Sequence, residues 1–216
     1  IDFFHGDILD KQFLSHILKD ADVVHHLAGI TDVPRVKSQS NNDNDEKIKK
    51  IAEEGTQNVL DSISNQCKII FPSTHVIFEG INQVKKNIDE NEEPSPVLSY
   101  GRSKHVNENQ LRKSGKNYII LRLGSVYGYS TDTTRIDIMA NFFAKTASQN
   151  GTLKLFAGGR QIKSLVPLID VARCFKFMEE RQDLNSQTFN LTKDTQTVKE
   201  IADICKTINP NITIKE

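Results

Sequence analysis

Four short apolar runs in this chain each stop at small, hydroxyl or turn-forming residues, and a segment with helical spacing follows each. Ile1 to Phe4 stops at His5-Gly6-Asp7, and Val23 to Leu27 stops at Ala28-Gly29. Lys68 to Phe71 leads to Ser73-Thr74, and Tyr118 to Leu123 leads to Gly124-Ser125. Near-continuous apolar runs suit strands buried on both faces, as in a parallel sheet. Between them, Phe13, Leu14, Ile17 and Leu18 share a helical face behind a candidate N-cap, Asp10. Ile48, Ile51, Ala52, Val59, Leu60 and Ile63 define a second helix over about 45–63, and Tyr100 to Lys113 a third. This alternation implies an α/β fold with a mainly parallel, doubly wound sheet. Such sheets bind ligands at the carboxyl ends of their strands, so the four endings are expected to face one crevice.

The rest of the chain continues the pattern. Residues 37 to 46 are polar and asparagine-rich and read as a loop or helix entry. Glu79 to Pro96 is a long polar connection whose acidic run, Asp89-Glu90-Asn91-Glu92-Glu93, reads as a solvated loop. An amphipathic helix is predicted over 136–148, and a strand over Leu153 to Phe156 ending at Gly158-Gly159. Leu165 to Ile169 is a further apolar segment before Asp170, which can cap a helix from Val171 to about Glu180. Thr188 to Leu191 reads as a strand, Thr197 to Ile208 as a last helix stopped by Asn209-Pro210, and Ile212 to Glu216 breaks off in mid-pattern.

Composition narrows the function classes. Lys plus Arg equals Asp plus Glu at 28 each in 216 residues, so clustered positive charge for nucleic acid or a membrane surface is not expected. No apolar run approaches the roughly 18 to 20 residues that span a bilayer. Cys67, Cys174 and Cys205 are scattered, odd in number and without C-x-x-C spacing, which suits free thiols in a reducing, cytoplasmic setting. No metal site is expected, since His25-His26 has no ligand company and reads as strand packing.

The chemically suggestive stretch runs from Ser73 to Lys104. On a helix, Tyr100 and Lys104 lie one turn apart on one face. An ammonium beside a phenol lowers the cost of forming the phenolate, whose free pKa is about 10. The spacing acquires weight from its company: Gly6-Asp7-Ile8, Val24-His25-His26-Leu27-Ala28-Gly29, Glu54 to Leu60, Ser73-Thr74 before Ile77 to Gly80, Leu121-Arg122 with Val126-Tyr127-Gly128, Ile169 to Ala172, and Phe189-Asn190-Leu191. In this order and over nearly the whole chain, these segments resemble the extended short-chain dehydrogenases/reductases, the NAD-dependent epimerase/dehydratase family acting on nucleotide sugars.

The resemblance implies a Rossmann-type NAD(P)-binding domain over 1–128 and a smaller substrate-binding region over 129–216, partly interleaved with it. Asp7 would hydrogen-bond the adenine amino group with Ile8 against the ring, and Leu27, Ala28 and Gly29 would line the nicotinamide side. Tyr100 would be the catalytic acid/base, Lys104 would hold the nicotinamide ribose and favour the tyrosinate, and Thr74 would share the substrate hydroxyl proton. Ser125, Arg160 and Lys163 would contact the nucleotide sugar, with Lys163 standing where the family often has an arginine. Asn58 resembles a structural helix position. One departure is large: no G-x-x-G-x-x-G turn occurs, and the opening strand resembles the family's third. The polypeptide is therefore expected to lack the first β-α-β, with incomplete termini.

Within the family, the positions after Thr74 are His75 and Val76, and Val76 cannot move a proton, which disfavours dehydration. An NAD-dependent epimerase, with NADP as a variant cofactor, is the leading implication. A 4-ketosugar reductase is the alternative, because Ser73 to Gly80 resembles the S-T-D-Y-V-F-D-G run of dTDP-4-dehydrorhamnose reductases. A catalytically silent cofactor-binding subunit is a third. Dimeric relatives pair the helices matching 45–63 and 100–113, so the resemblance also implies a homodimer.

Overall fold

A computed structural model describes residues 1–31, 42–131 and 134–216. Two compact units emerge, one of Ile1–Arg122 with Lys176–Asn190 and one of Leu123–Phe175 with Leu191–Glu216.

The first unit is built on strands β1 (Val23–His25), β2 (Lys68–Thr74), β3 (Asn117–Leu123) and β7 (Gln187–Leu191), which hydrogen-bond in the order β1-β2-β3-β7. β1 and β2 are parallel, with Val23 opposite Lys68 and His25 opposite Ile70. Helices α1 (Lys11–Leu18), α2 (Asn42–Ser62) and α3 (Ser99–Lys113) occupy the connections. The Asp10 carboxylate caps α1 by accepting from Phe13 N, as its position implied. Leu14, Val59, Leu60 and Ile63 from α1, α2 and the residue after it close over Cys67, Ile69 and Phe71 of the β2 region, with Leu111 and Ile120 completing the cluster. Asn58 donates to the carbonyls of Ile8 and Leu9 at 3.2 and 3.3 Å, tying the segment before α1 to α2. The polar stretch from residue 37 lies largely outside the described residues, and the helix is already formed at Asn42.

The second unit contains β4 (Ser125–Tyr127), α4 (Met139–Ser148), β5 (Thr152–Lys154), β6 (Ile162–Pro167), β8 (Asp194–Thr197), α6 (Val198–Ile208) and β9 (Thr213–Lys215). β4 runs parallel to β6 and β8 antiparallel to it, while β5 pairs in parallel with β9. Phe143, Ala147, Leu153, Leu155, Leu165, Val198, Ile201 and Ala202 form its core. Thr197 and Glu200 make a reciprocal capping box at the start of α6. α5 (Leu168–Glu180) begins in this unit.

Several expectations are corrected. Ile1 to Phe4 is not a strand; its apolar side chains are exposed, and among the described residues no ladder partner supplies the hydrogen bonds that define one. Asp170 does not cap a helix from Val171. α5 starts at Leu168, and Asp170 lies inside its first turn, paired with Arg173 and Lys193. Thr213–Lys215, in the stretch from Ile212 that carried no element assignment, forms a short strand, β9. The acidic run is not simply solvated: Glu90 accepts from Asn190 N at 2.7 Å, its carbonyl accepts from Arg122 at 3.0 Å, and Glu92 pairs with Lys85. Among the described residues no helix is long and apolar enough to cross a membrane, and no group of His, Cys, Asp and Glu could hold a metal ion. The three cysteines are free thiols.

Candidate functional site

The site is assembled where β2 ends and α3 begins. β2 carries Ser73 and Thr74 as its last residues, both buried. Thr74 then caps a short 3-10 turn, His75–Phe78, its hydroxyl accepting from Val76 N at 3.2 Å. That use of a lone pair leaves the hydroxyl proton for a donor role. The following loop is stitched back onto the turn. Glu79 accepts from Val97 N and Leu98 N at 3.0 and 2.6 Å, placing a carboxylate at the start of α3, where the helix dipole favours it. Gly80 must be small: a Cβ there would lie 2.4 Å from the Ser95 carbonyl. Gly101 likewise brings the first turn of α3 down onto the 3-10 turn, with a Cβ only 3.2 Å from the Val76 carbonyl.

Tyr100 and Lys104 occupy successive turns of α3, as the four-residue spacing predicts. The Lys104 ammonium donates to the Pro72 carbonyl at 2.8 Å, and lies 4.4 Å from the Phe71 ring centroid and 5.9 Å from that of Tyr100. Burial pushes its pKa from 10.5 to about 8, against the opposing pull of the Glu108 carboxylate. His26 lies behind this group, with Nε2 2.9 Å from Thr56 Oγ1 and its ring centroid 5.5 Å from that of Phe71. Burial, and then the Lys104 charge, lower its pKa to about 4, so it is a neutral packing group near pH 7. The strand-packing expectation holds for His26, and His25 faces Glu179 at 3.5 Å.

A stability prediction follows from Lys104. The ordinary pKa of 10.5 applies to the unfolded chain and about 8 to the folded one, so below pH 8 both states hold the proton and the folded state carries the cost of burying the charge. Lys104→Met is therefore expected to stabilise the ligand-free protein by about 2 kcal/mol at pH 7, after allowing for the lost Pro72 hydrogen bond. The gain should shrink as pH rises from about 8 towards 10.5, where the unfolded lysine also loses its proton. Chemical denaturation of both proteins across this range checks the sign and the window.

Sequence reasoning missed the group beneath these residues. Glu108, one turn beyond Lys104, is fully buried. It accepts from Ser73 Oγ at 2.6 Å, from Arg122 at 3.1 and 2.9 Å, and from Arg112 at 2.8 Å. Burial alone would push the carboxyl up, but these hydrogen bonds and the Arg122 charge outweigh it and hold it below the ordinary carboxylate value. The signal was present: Tyr100, Lys104, Glu108 and Arg112 follow one another at four-residue steps, and Arg122 interrupts an apolar strand.

The other expected residues are placed as follows. Asp7 is exposed and accepts from Leu9 N at 2.9 Å through one carboxylate oxygen, with no bond to the second among the described residues. Ile8 turns its side chain towards Gly55 of α2 and the core cluster. Leu27, Ala28 and Gly29 follow β1 and are exposed, and a Cβ at Gly29 would meet nothing within 4 Å. Ser125 opens β4, Arg160 follows the 3-10 turn Phe156–Gly159, and Lys163 lies on β6 opposite Gln196; all three belong to the second unit.

Tyr100 and the partly buried Lys104 thus stand together at the carboxyl end of β2 in an α/β fold. The model of the NAD dependent epimerase/dehydratase family matches residues 1–192, and the chain belongs to that family. It is 30% identical over 152 residues to a Haloferax volcanii protein named a probable low-salt glycan biosynthesis reductase, covering 69% of this chain and 49% of that one. The chain spans about half the length of the curated relatives it matches, 49% of one and 57% of another. A solved UDP-glucuronic acid 4-epimerase from Bacillus cereus, in complex with UDP-glucuronic acid and NAD, superposes with TM-score 0.83 at 24% identity, over 100% of this chain and 68% of that one. The UDP-glucose 4-epimerase of Thermotoga maritima with UDP-glucose superposes with TM-score 0.80 at 23% identity, over 99% and 71%. At such identities the likeness is one of fold.

Proposed function

We propose that this chain carries the reacting centre of an NAD-dependent nucleotide-sugar epimerase, with hydride transfer at a sugar carbon and Tyr100 as acid/base. The observation that carries the reading is the Lys104 ammonium, held 2.8 Å from the Pro72 carbonyl and one helical turn from Tyr100, beside the strand end that presents Thr74. The donor set suits a nicotinamide ribose: of three ammonium hydrogens, one is taken by Pro72 and the others remain for hydroxyls. Asp7 keeps one carboxylate oxygen for an adenine amino group, and the exposed Leu27-Ala28-Gly29 segment leaves room for a planar ring. The chain has no G-x-x-G-x-x-G turn, so the pyrophosphate grip is not assigned to any of its residues.

When bound, NAD would supply the hydride acceptor and donor. The chain's own residues supply the proton path. Tyr100 takes the proton of the reacting sugar hydroxyl as the carbon is oxidised and returns it when the carbon is reduced. Thr74 donates its free hydroxyl proton to the same oxygen, and Lys104 lowers the cost of the tyrosinate while orienting the ribose. Ser125, Arg160 and Lys163 of the second unit hold the nucleotide sugar, Lys163 as a point charge rather than a fork. Val76, beside the reacting centre, offers no proton for dehydration. The outer faces of α2 and α3 pair two copies, and a monomeric mass in solution would refute that element.

A second reading, a 4-ketosugar reductase, is favoured by the Ser73–Gly80 run and by the name of the Haloferax volcanii relative. One incubation separates the two. The full-length protein with NAD and a UDP- or dTDP-sugar should interconvert the two epimers without net cofactor change. A reductase would instead consume NADH or NADPH in proportion to the ketosugar supplied.

A further inference from the structure

Two of the last three residues of β2 are gripped from α3. The Pro72 carbonyl accepts from Lys104 Nζ at 2.8 Å, and Ser73 Oγ donates to Glu108 Oε1 at 2.6 Å. Thr74, the third, presents the hydroxyl placed in the reaction above. Glu108 is fixed on its other side by Arg122, which binds both its oxygens, and by Arg112 from the next turn of α3. Its carboxylate is fully buried and satisfied by four hydrogen bonds, so it cannot swing or exchange partners without leaving a buried charge uncompensated.

We propose that Glu108 is a positioning residue of the reaction proposed above: it locks α3 to the Thr74 end of β2 and sets a fixed carboxylate one helical turn from Lys104. The proposal rests on that reading for the reaction, while the effect on Lys104 belongs to the ligand-free protein. Two of the forces acting on Lys104 are opposed. Burial drives its proton off, and Glu108, one turn away, holds the proton on. Arg112 and Arg122 face Glu108 rather than Lys104, pinning the carboxylate ionised in this role. His26, which shares the Phe71 ring with Lys104, is uncharged above about pH 4. Glu108 is thus a negative group held one helical turn from the ammonium, where a positioned carboxylate shifts a neighbour by about one pH unit or more.

The direct test reads Lys104 without asking for activity. Competitive acetylation of the full-length protein over a pH series, with the modified peptide quantified by mass spectrometry, gives the titration of Lys104. Glu108→Gln should move that titration about one pH unit lower than in the unsubstituted protein, and Glu108→Asp should restore most of it. In turnover, Glu108→Gln should lower kcat about tenfold with KM little changed, and move the alkaline limb of the pH profile the same way. If Glu108→Gln does not fold, the pair Glu108→Gln with Arg122→Met leaves no buried guanidinium stranded, Arg112 being partly exposed, and is expected to show a displacement in the same direction. An unchanged Lys104 titration in a cooperatively folded variant overturns the proposal, whether or not the protein turns over nucleotide sugars. A shifted titration without any turnover supports the Glu108–Lys104 coupling and refutes the reaction instead.

Discussion

Tyr100→Phe is expected to lower kcat by about 10²–10⁴-fold, with KM for the nucleotide sugar changed little. The substitution removes a single oxygen and keeps the ring, which lies 5.9 Å from the Lys104 ammonium. The start of α3 should survive it, because Glu79 anchors the residues just before that helix through Val97 N and Leu98 N. A group that moves a proton only as the sugar carbon changes oxidation state contributes to the transition state and little to binding, hence the split between kcat and KM. Steady-state kinetics with a thermal melt of the same sample make the comparison. A loss below about tenfold with an intact fold would remove Tyr100 from the acid/base role.

The second large effect concerns stability. Arg122→Met is expected to cost about 3 kcal/mol, because it withdraws two hydrogen bonds from a carboxylate with no access to water. Arg112 and Ser73 remain as partners and keep the loss at the lower end of the range for breaking a buried pair. The Glu90 carbonyl also loses its donor, and the Phe78 ring loses the guanidinium above it. Replacing both charges, Glu108→Leu with Arg122→Met, should recover much of the loss, since neither charge is then left buried alone. Urea midpoints at matched m values measure it. A cost under about 1 kcal/mol for the single variant would mean that Glu108 relaxes towards solvent.

The sheet and most helices of the first unit were legible because their periods are long enough to repeat. β2 announced itself by four successive apolar or aliphatic-stemmed residues, and α1 by its stripe and cap. β4, β8 and β9 were not read as strands: runs of three or four residues hold too little of a two-residue period to distinguish from a turn. Ile1 to Phe4 failed in the opposite direction, with strand composition but no ladder to join. At the site, Tyr100 and Lys104 were visible as a spacing, while Glu108 read as an ordinary charge on a polar helix. Burial of a carboxylate depends on who faces it, and besides Arg112 on the same helix its partners lie 35 residues before it and 14 after. Arg122 carried the clue, since a guanidinium within the apolar run of β3 must find a partner inside. Ser125, Arg160 and Lys163 rested on family position, with no local pattern of their own.

In the function proposed for this chain, Tyr100 and Lys104 serve hydride transfer between a sugar carbon and NAD. A single turnover tests it most directly: full-length protein with NAD is mixed rapidly with a UDP- or dTDP-sugar, and the absorbance of NADH is followed. A transient is expected that rises as the sugar is oxidised, decays as the epimer forms, and is absent in Tyr100→Phe. No transient with any sugar of either nucleotide, and no difference between the two proteins, would contradict it.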